Sequence, residues 1–417
     1  MKKVQKLMLV SVAVFIFIAS GSFSAVTPAS GSSFQAETAS SQSPAPTINP
    51  TALVDANSQF AFDIFKQINR TETGKNILLS PFSISTALAM LYQGASNQTK
   101  AEMAQVLHYS GIDIAKLNSD YQSLLNHLAN TDSFVTLNGV NSIWYDDGLC
   151  VKPDFIKTNK DVFDAAVQKL DFTKADAADT INRWISEATQ GMIDKMLDPP
   201  LSAVMYLIDA IYFKGAWTHP FNPKLTTKST FTTESGKINP VDMMYTHGIT
   251  EFGQGADYSA VRLPYGMQKV SMYCILPAKG LSIDHFISGL TVAKFKEIKQ
   301  TLSTLPYLSV QLPKFSMAYG VKSLKTALNR LGMITAFIGG QADLSGISDG
   351  PLWVDDVLHK AIIDVTEQGT EASAVTVIEI KESARNFQAN RPFVFLIVDD
   401  ATGSILFMGK AADLAEY

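Results

Sequence analysis

Residues 370–381 alternate with period two. Even positions read Thr370, Ala372, Ala374, Thr376, Ile378 and Ile380, small and then apolar, while odd positions read Glu371, Ser373, Val375, Val377, Glu379 and Lys381, mostly polar. Successive side chains of a strand point to opposite faces, so the run specifies a strand with one buried face. At roughly 3.3 Å per residue it spans about 40 Å, and the fold must supply a slot of that length. An edge strand or a hairpin arm satisfies the same pattern, so alternation alone leaves the choice open.

The remainder of the chain narrows the possibilities. Its 417 residues are 46% hydrophobic and 18% charged, which excludes a disordered or collagen-like chain and allows a large core. Thirty-four basic and thirty-nine acidic residues leave a net charge of −5 with no long basic run, so nucleic acid is not an expected partner. Cys150 and Cys274 are too few and too distant for a disulfide framework or a cysteine-based zinc site, and read as free thiols. Lys2, Lys3 and Lys6 precede an apolar run at 7–19, and small residues follow to Ala25. This predicts a signal peptide over 1–25 and a secreted or cell-envelope exterior protein; the run is shorter than the ~20 residues of a membrane span. Residues 26–50 are rich in Ser, Ala, Thr, Pro and Gln and read as a flexible linker. No further break or repeat follows, so 51–417 is expected to be a single domain.

Helical periodicity marks 57–69, 83–92, 99–107 and 180–196, with Thr99 and Glu102 spaced as a capping pair. Strand patterns mark 204–213, 259–263, 270–276, 308–312, 393–398 and 404–408. Helices followed by strands predict an α+β fold with large antiparallel or mixed sheets.

Enzyme signatures fail one by one. Gly346-Ile347-Ser348-Asp349-Gly350 matches the G-x-S-x-G nucleophile elbow, but Pro351 follows, no helical pattern comes after, and the one downstream histidine, His359, is eleven residues away. The motif reads as a surface turn. The six histidines (His108, His127, His219, His247, His285, His359) show no paired metal-ligand spacing, and no G-K-[ST] phosphate loop is present. Asn69-Arg70-Thr71 and Asn97-Gln98-Thr99 fit the glycosylation acceptor pattern.

Glu367-Gln368-Gly369-Thr370-Glu371-Ala372-Ser373-Ala374 resembles the hinge of the serpin family. Similar motifs recur in order: Asn76-Ile77-Leu78-Leu79-Ser80-Pro81-Phe82-Ser83, Ile181-Asn182-Arg183-Trp184, Tyr212-Phe213-Lys214-Gly215-Ala216-Trp217, Leu312-Pro313-Lys314-Phe315, Ala342-Asp343-Leu344-Ser345-Gly346, Arg391-Pro392-Phe393 and Phe407-Met408-Gly409-Lys410. The resemblance covers essentially all of 51–417. It implies an α+β fold of three β-sheets with eight or nine helices and an exposed reactive-centre loop. It also implies a monomeric, non-enzymatic inhibitor of serine or cysteine endopeptidases that needs no cofactor or metal. Such an inhibitor is cleaved as a suicide substrate, traps the acyl-enzyme and inserts the cut loop into the central sheet.

Several residues inherit roles from that resemblance. The hinge is Glu367, Gly369, Thr370, Ala372, Ala374 and Thr376; its inward face carries neither charge nor proline, which favours an inhibitor over a non-inhibitory binding or chaperone-like relative. Counting from Gly369 places the reactive bond at Ser383–Ala384, which suits elastase-like or subtilisin-like proteases. Counting back from Arg391-Pro392-Phe393 gives an earlier bond, and Glu382, Lys381 and Arg385 remain alternatives, the last two suiting trypsin-like enzymes. Ser80, Ser83 and His359 match a hydrogen-bonded shutter, with Asp209 where Asn is usual; Asp209 is expected to accept a hydrogen bond from His359 and favour its protonated form. Trp217, Lys314 and Glu367 match the breach where insertion begins, with an ion pair expected between Lys314 and Glu367.

Overall fold

Ser80 shows how the chain turns sequence into local structure. Its hydroxyl accepts the Ser83 N–H at 3.3 Å and Pro81 occupies the first helical position, so a helix must start here. The computed structural model describes residues 51–369 and 385–416, excluding the side chains of 138–140 and 209. Nine α-helices occur among them: α1 Thr51–Asn69, α2 Pro81–Tyr92, α3 Asn97–Val106, α4 Ile114–Ala129, α5 Pro153–Phe163, α6 Ala177–Ala188, α7 Ile283–Ser288, α8 Val292–Thr301 and α9 Lys325–Leu331. The strands are β1 Ile77–Leu79, β2 Val135–Asp146, β3 Ala166–Leu170, β4 Met205–Gly215, β5 Thr227–Thr232, β6 Ile238–Gln254, β7 Tyr258–Tyr265, β8 Val270–Pro277, β9 Ser303–Pro313, β10 Phe315–Ser323, β11 Leu358–Val365, β12 Arg385–Gln388, β13 Phe393–Asp399 and β14 Ile405–Ala411.

Three sheets result, two of them fused. One has the order β10-β11-β4-β2-β3. The other two share β6, whose first part pairs with β5 and β9 and whose last residues pair with β7, leading on through β8, β13, β14 and β1. Side chains of β4 alternate between two cores: Ile211 and Phe213 join the main cluster, while Ile208 and Ala210 join Ile181 and Ile185 of α6 in a smaller one. The five-stranded sheet is therefore covered on both faces. β14 lies between β1 and β13, and its Lys410, fully buried, donates to Asn69 Oδ1 (2.6 Å) and Glu72 O (2.8 Å) and pairs with Asp284 (2.9 Å). Among the described residues no helix is long and apolar enough to cross a membrane.

Three local expectations change. The helix expected over 180–196 is α6, which ends at Ala188: Gln190 and Gly191 take positive φ (55° and 81°), and Asn182 Oδ1 accepts the N–H groups of Met196 and Leu197, stapling the next segment back. Thr99 and Glu102 do not cap α3, which begins after Ser96. Thr99 Oγ1 accepts from Asp343 N (2.9 Å), and Glu102 caps a different turn through Ile334 N and Thr335 N (2.9 and 2.7 Å). The turn at 346–350 is at the surface only in part: Asp349 and Gly350 are exposed, but Ser348 is 4% exposed, and a Cβ on Gly346 would stand 2.8 Å from Gly94 Cα. Of the two glycosylation tripeptides, Asn69 is buried against Lys410, whereas Asn97 is exposed at the start of α3 with Thr99 buried beneath it. The 1–25 and 26–50 assignments lie outside the described residues.

Candidate functional site: the hinge turn and the central sheet

β11 and β4 run parallel and share three registered pairs, Lys360 with Ala210, Ala361 with Ile211 and Ile362 with Tyr212. Toward the ends of both strands no further pair between them occurs among the described residues. The chain leaving β11 reverses there. Thr366 and Gly369 exchange backbone hydrogen bonds (3.1 and 3.2 Å), and Gly369 bridges Ala216 just past β4. Gly369 has φ +103°, and a Cβ there would lie 2.3 Å from Gly215 O and 2.5 Å from Trp217 N, so only glycine fits.

The expected breach residues meet at this turn. Trp217 Nε1 donates to Thr366 O (2.9 Å), Trp217 N to Gln368 O (3.1 Å) and Phe221 N to Glu367 O (2.7 Å). The Trp217 ring stacks on Tyr265 with centroids 4.2 Å apart. Lys314 Nζ stands 3.4 Å from Glu367 Oε2, the expected ion pair, and Thr226 Oγ1 donates to Glu367 Oε1 at 2.9 Å. Both charged side chains are largely buried, 24% and 13% exposed, so the pair is shielded from solvent screening. Nothing in the sequence gave Thr226, Tyr265 and Phe221 these contacts.

Ser80, Ser83 and His359 also come together. Ser80 N donates to His359 Nε2 (3.2 Å) and Ser80 Oγ to Leu406 O of β14 (2.7 Å), tying the start of α2 to β11 and to β14. His359 is 2% exposed, and burial pushes its imidazole down to about 4. Its Nε2 acts as an acceptor, and burial penalises the charged ring. Asp209 sits in β4 opposite Asn141, but its side chain lies outside the described residues, as do Thr370, Ala372, Ala374, Thr376, Lys381, Glu382, Ser383 and Ala384. Arg385 is described, and its backbone is paired with Leu308 in β12.

The hydrolase motif has no catalytic geometry among the described residues. Ser348 Oγ accepts from Gly350 N (3.4 Å), and His359 is engaged with Ser80 instead. Cys274 is buried in β8, which pushes its thiol up, and Cys150 is exposed; both are free.

Comparison with known proteins agrees with this architecture. The family model described as serpin (serine protease inhibitor) matches residues 55–414. An uncharacterized serpin-like protein of Methanosarcina acetivorans is 35% identical over 392 residues, covering 89% of this chain and 91% of that one. The leukocyte elastase inhibitor of Xenopus laevis is 33% identical over 374 residues, covering 86% and 98%. The native-state crystal structure of tengpin, a thermophilic serpin, superimposes with a TM-score of 0.78 at 32% identity, covering 87% and 94%. With the family model spanning most of its length and relatives of this similarity aligned nearly end to end, the chain belongs to the serpin family.

Proposed function

We propose that the protein inhibits serine or cysteine endopeptidases as a suicide substrate. The observation that carries this reading is the hinge turn at 366–369, seated where the parallel strands β11 and β4 share only three registered pairs. A chain reversing at Gly369 and entering between them runs antiparallel to both. It replaces a short parallel seam with two antiparallel ladders, the better-bonded arrangement. The two covered faces of that sheet also suit the alternation at 370–381, which offers a small-to-apolar row to one layer and a second row to the other.

In the chemistry proposed, the protease nucleophile attacks the carbonyl carbon of the reactive bond. The C–N bond breaks, the amine leaves with a proton as a new N-terminus, and the loop stays joined to the protease as an ester or thioester. Insertion then carries the acylated protease away from the deacylating geometry. The reactive bond is proposed between Lys381 and Ala384. Ser383–Ala384, given by the hinge count, directs the inhibitor to proteases with small pockets, whereas Lys381 directs it to trypsin-like ones and Glu382 to Glu-directed ones. Arg385 is the weakest candidate because its backbone already belongs to β12. Export through the 1–25 segment is part of the same proposal.

Incubation with elastase-like, subtilisin-like and trypsin-like proteases, followed by a denaturing gel, tests the reading. A protease–inhibitor band that survives detergent is expected, with the loop-clipped protein melting far above the intact one. Cleavage without any such band would leave a non-inhibitory binding or chaperone-like serpin. Mass spectrometry of the released C-terminal peptide places the bond.

A further inference from the structure

The end of β4 is held by segments other than β11. Gly369 bridges Ala216, so Ala216 is the first residue past β4 that a chain entering from the hinge turn meets. Both backbone groups of Ala216 are committed: its N–H donates to Phe134 O (3.2 Å), just before β2, and its C=O accepts from Gly266 N (2.7 Å), in the turn between β7 and β8. Thr218 repeats the tie, donating through N to Pro264 O (2.9 Å) and through Oγ1 to Gly266 O (2.8 Å). Asp132 joins the two segments that hold Ala216. Its Oδ1 accepts from Phe134 N (2.9 Å) and its Oδ2 from Met267 N (2.7 Å). The residue is 7% exposed, and hydrogen bonds of this charge-assisted kind are what make a buried carboxylate tolerable. The approach is close: Gly266 has φ +46°, and a Cβ there would stand 2.5 Å from Asp132 Oδ1.

The two bonds of Asp132 differ in kind. The one to Phe134 N closes a local turn such as aspartate commonly forms. The one to Met267 N crosses 135 residues and joins the five-stranded sheet to the β7–β8 turn. That turn is itself fixed, since Lys269 O accepts from Asp400 N (2.9 Å) and Arg262 Nη2 donates to Gln268 O (3.3 Å). The side chains of Phe134 and Met267 are 58% and 52% exposed, so the carboxylate rather than apolar packing ties these segments together. We infer that Asp132 is a positioning residue for loop insertion: it keeps the end of β4 ordered and in register for the first pairs made by the incoming chain. This role rests on the inhibitory reading and names, within it, what sets the speed of insertion. After the loop is cut, the acyl-enzyme is either trapped by insertion or hydrolysed, and the number of inhibitor molecules consumed per protease exceeds one by the ratio of hydrolysis to insertion. If the end of β4 frays, its receiving edge exists for a smaller fraction of the time, and insertion slows in proportion. Cleavage of the loop does not involve this anchor and keeps its rate.

The test measures that stoichiometry together with the rate of loop cleavage, using the full chain and whichever protease forms the detergent-stable complex. Asp132→Asn keeps an acceptor for Phe134 N and turns an amide NH₂ toward Met267 N, so it cuts the long-range bond and spares the local one. Loss of one charge-assisted hydrogen bond shifts a local equilibrium about tenfold, and the excess of the stoichiometry above one should rise about threefold or more, with the cleavage rate unchanged. If that variant fails to fold, judged by thermal melting, Gly266→Ala displaces the same carboxylate from the opposite side and should raise the stoichiometry likewise. Phe134→Ser removes an exposed side chain, keeps the N–H, and should match the parent. A stoichiometry equal to the parent's overturns the positioning role even where the melting point falls, because a merely structural turn gives that result. Slower loop cleavage at unchanged stoichiometry overturns it as well, and both outcomes leave the inhibitory function standing. Failure of the parent to form a covalent complex with every protease overturns both.

Discussion

Acid should loosen the contact joining the start of α2 to β11. The His359 imidazole, 2% exposed, is lowered by burial from 6.5 to about 4, and its Nε2 accepts the Ser80 N–H, which only the neutral ring can do. The unfolded chain therefore binds more protons than the folded one between these two values. The stability held by neutral His359 is complete above pH 6.5, declines as pH falls, and levels off below pH 4. Each pH unit between the unfolded and folded values is worth about 1.4 kcal/mol, so the loss is about 2.5 kcal/mol by pH 4.5 and approaches about 3.5 kcal/mol at lower pH. His359→Gln keeps an acceptor for Ser80 and removes the titration. Urea unfolding of the intact protein between pH 7.5 and 4.5 should show the parent losing about 2.5 kcal/mol more than this variant. Carboxylates held low by their partners, such as Asp63 and Glu102, titrate in both proteins and cancel in the difference. Parallel profiles for parent and variant would refute the reasoning.

Two further perturbations probe the hinge. Glu367→Lys replaces the ion pair with Lys314 by repulsion and removes the acceptor for Thr226, a loss of about 1–3 kcal/mol; native gels after mild warming should show polymers sooner than for the parent, and an unchanged monomer band would contradict it. Gly369→Ala drives a Cβ into Gly215 O at positive φ, costing about 2 kcal/mol or more and lowering the melting point of the intact protein by a few degrees. An unaltered melting point would show that the turn is not seated against Gly215.

What the sequence revealed, and what it hid, follows from where each residue's partners lie. Strands buried on both faces were readable as apolar runs: 270–276 became β8, buried throughout, and 393–398 became β13. β6 was not read, because a strand that changes sheets midway mixes Pro240, Asp242, Gly248 and Glu251 into its pattern, and neither period persists. β11 alternates in burial, yet His359 and Lys360 interrupt its apolar character. At the site, Glu367 and Lys314 were legible through the family resemblance, which set the two opposite charges side by side. The Trp217–Thr366 and Ser80–Leu406 contacts were not, since a carbonyl oxygen carries no residue identity. The burial of His359 was hidden for a related reason: depth in the fold is not written in a residue's neighbours along the chain.

Ile77 pairs with Lys410 and Leu79 with Met408, so β1 cannot complete its sheet until β14 arrives from more than three hundred residues downstream. During synthesis the early part of the chain waits with that edge open, and Asn69 waits for the ammonium that will neutralise its isolation. Closure is thus the last act of a vectorial process. Any partner that covers the open edge until the tail has emerged spares the half-built sheet from pairing with its neighbours.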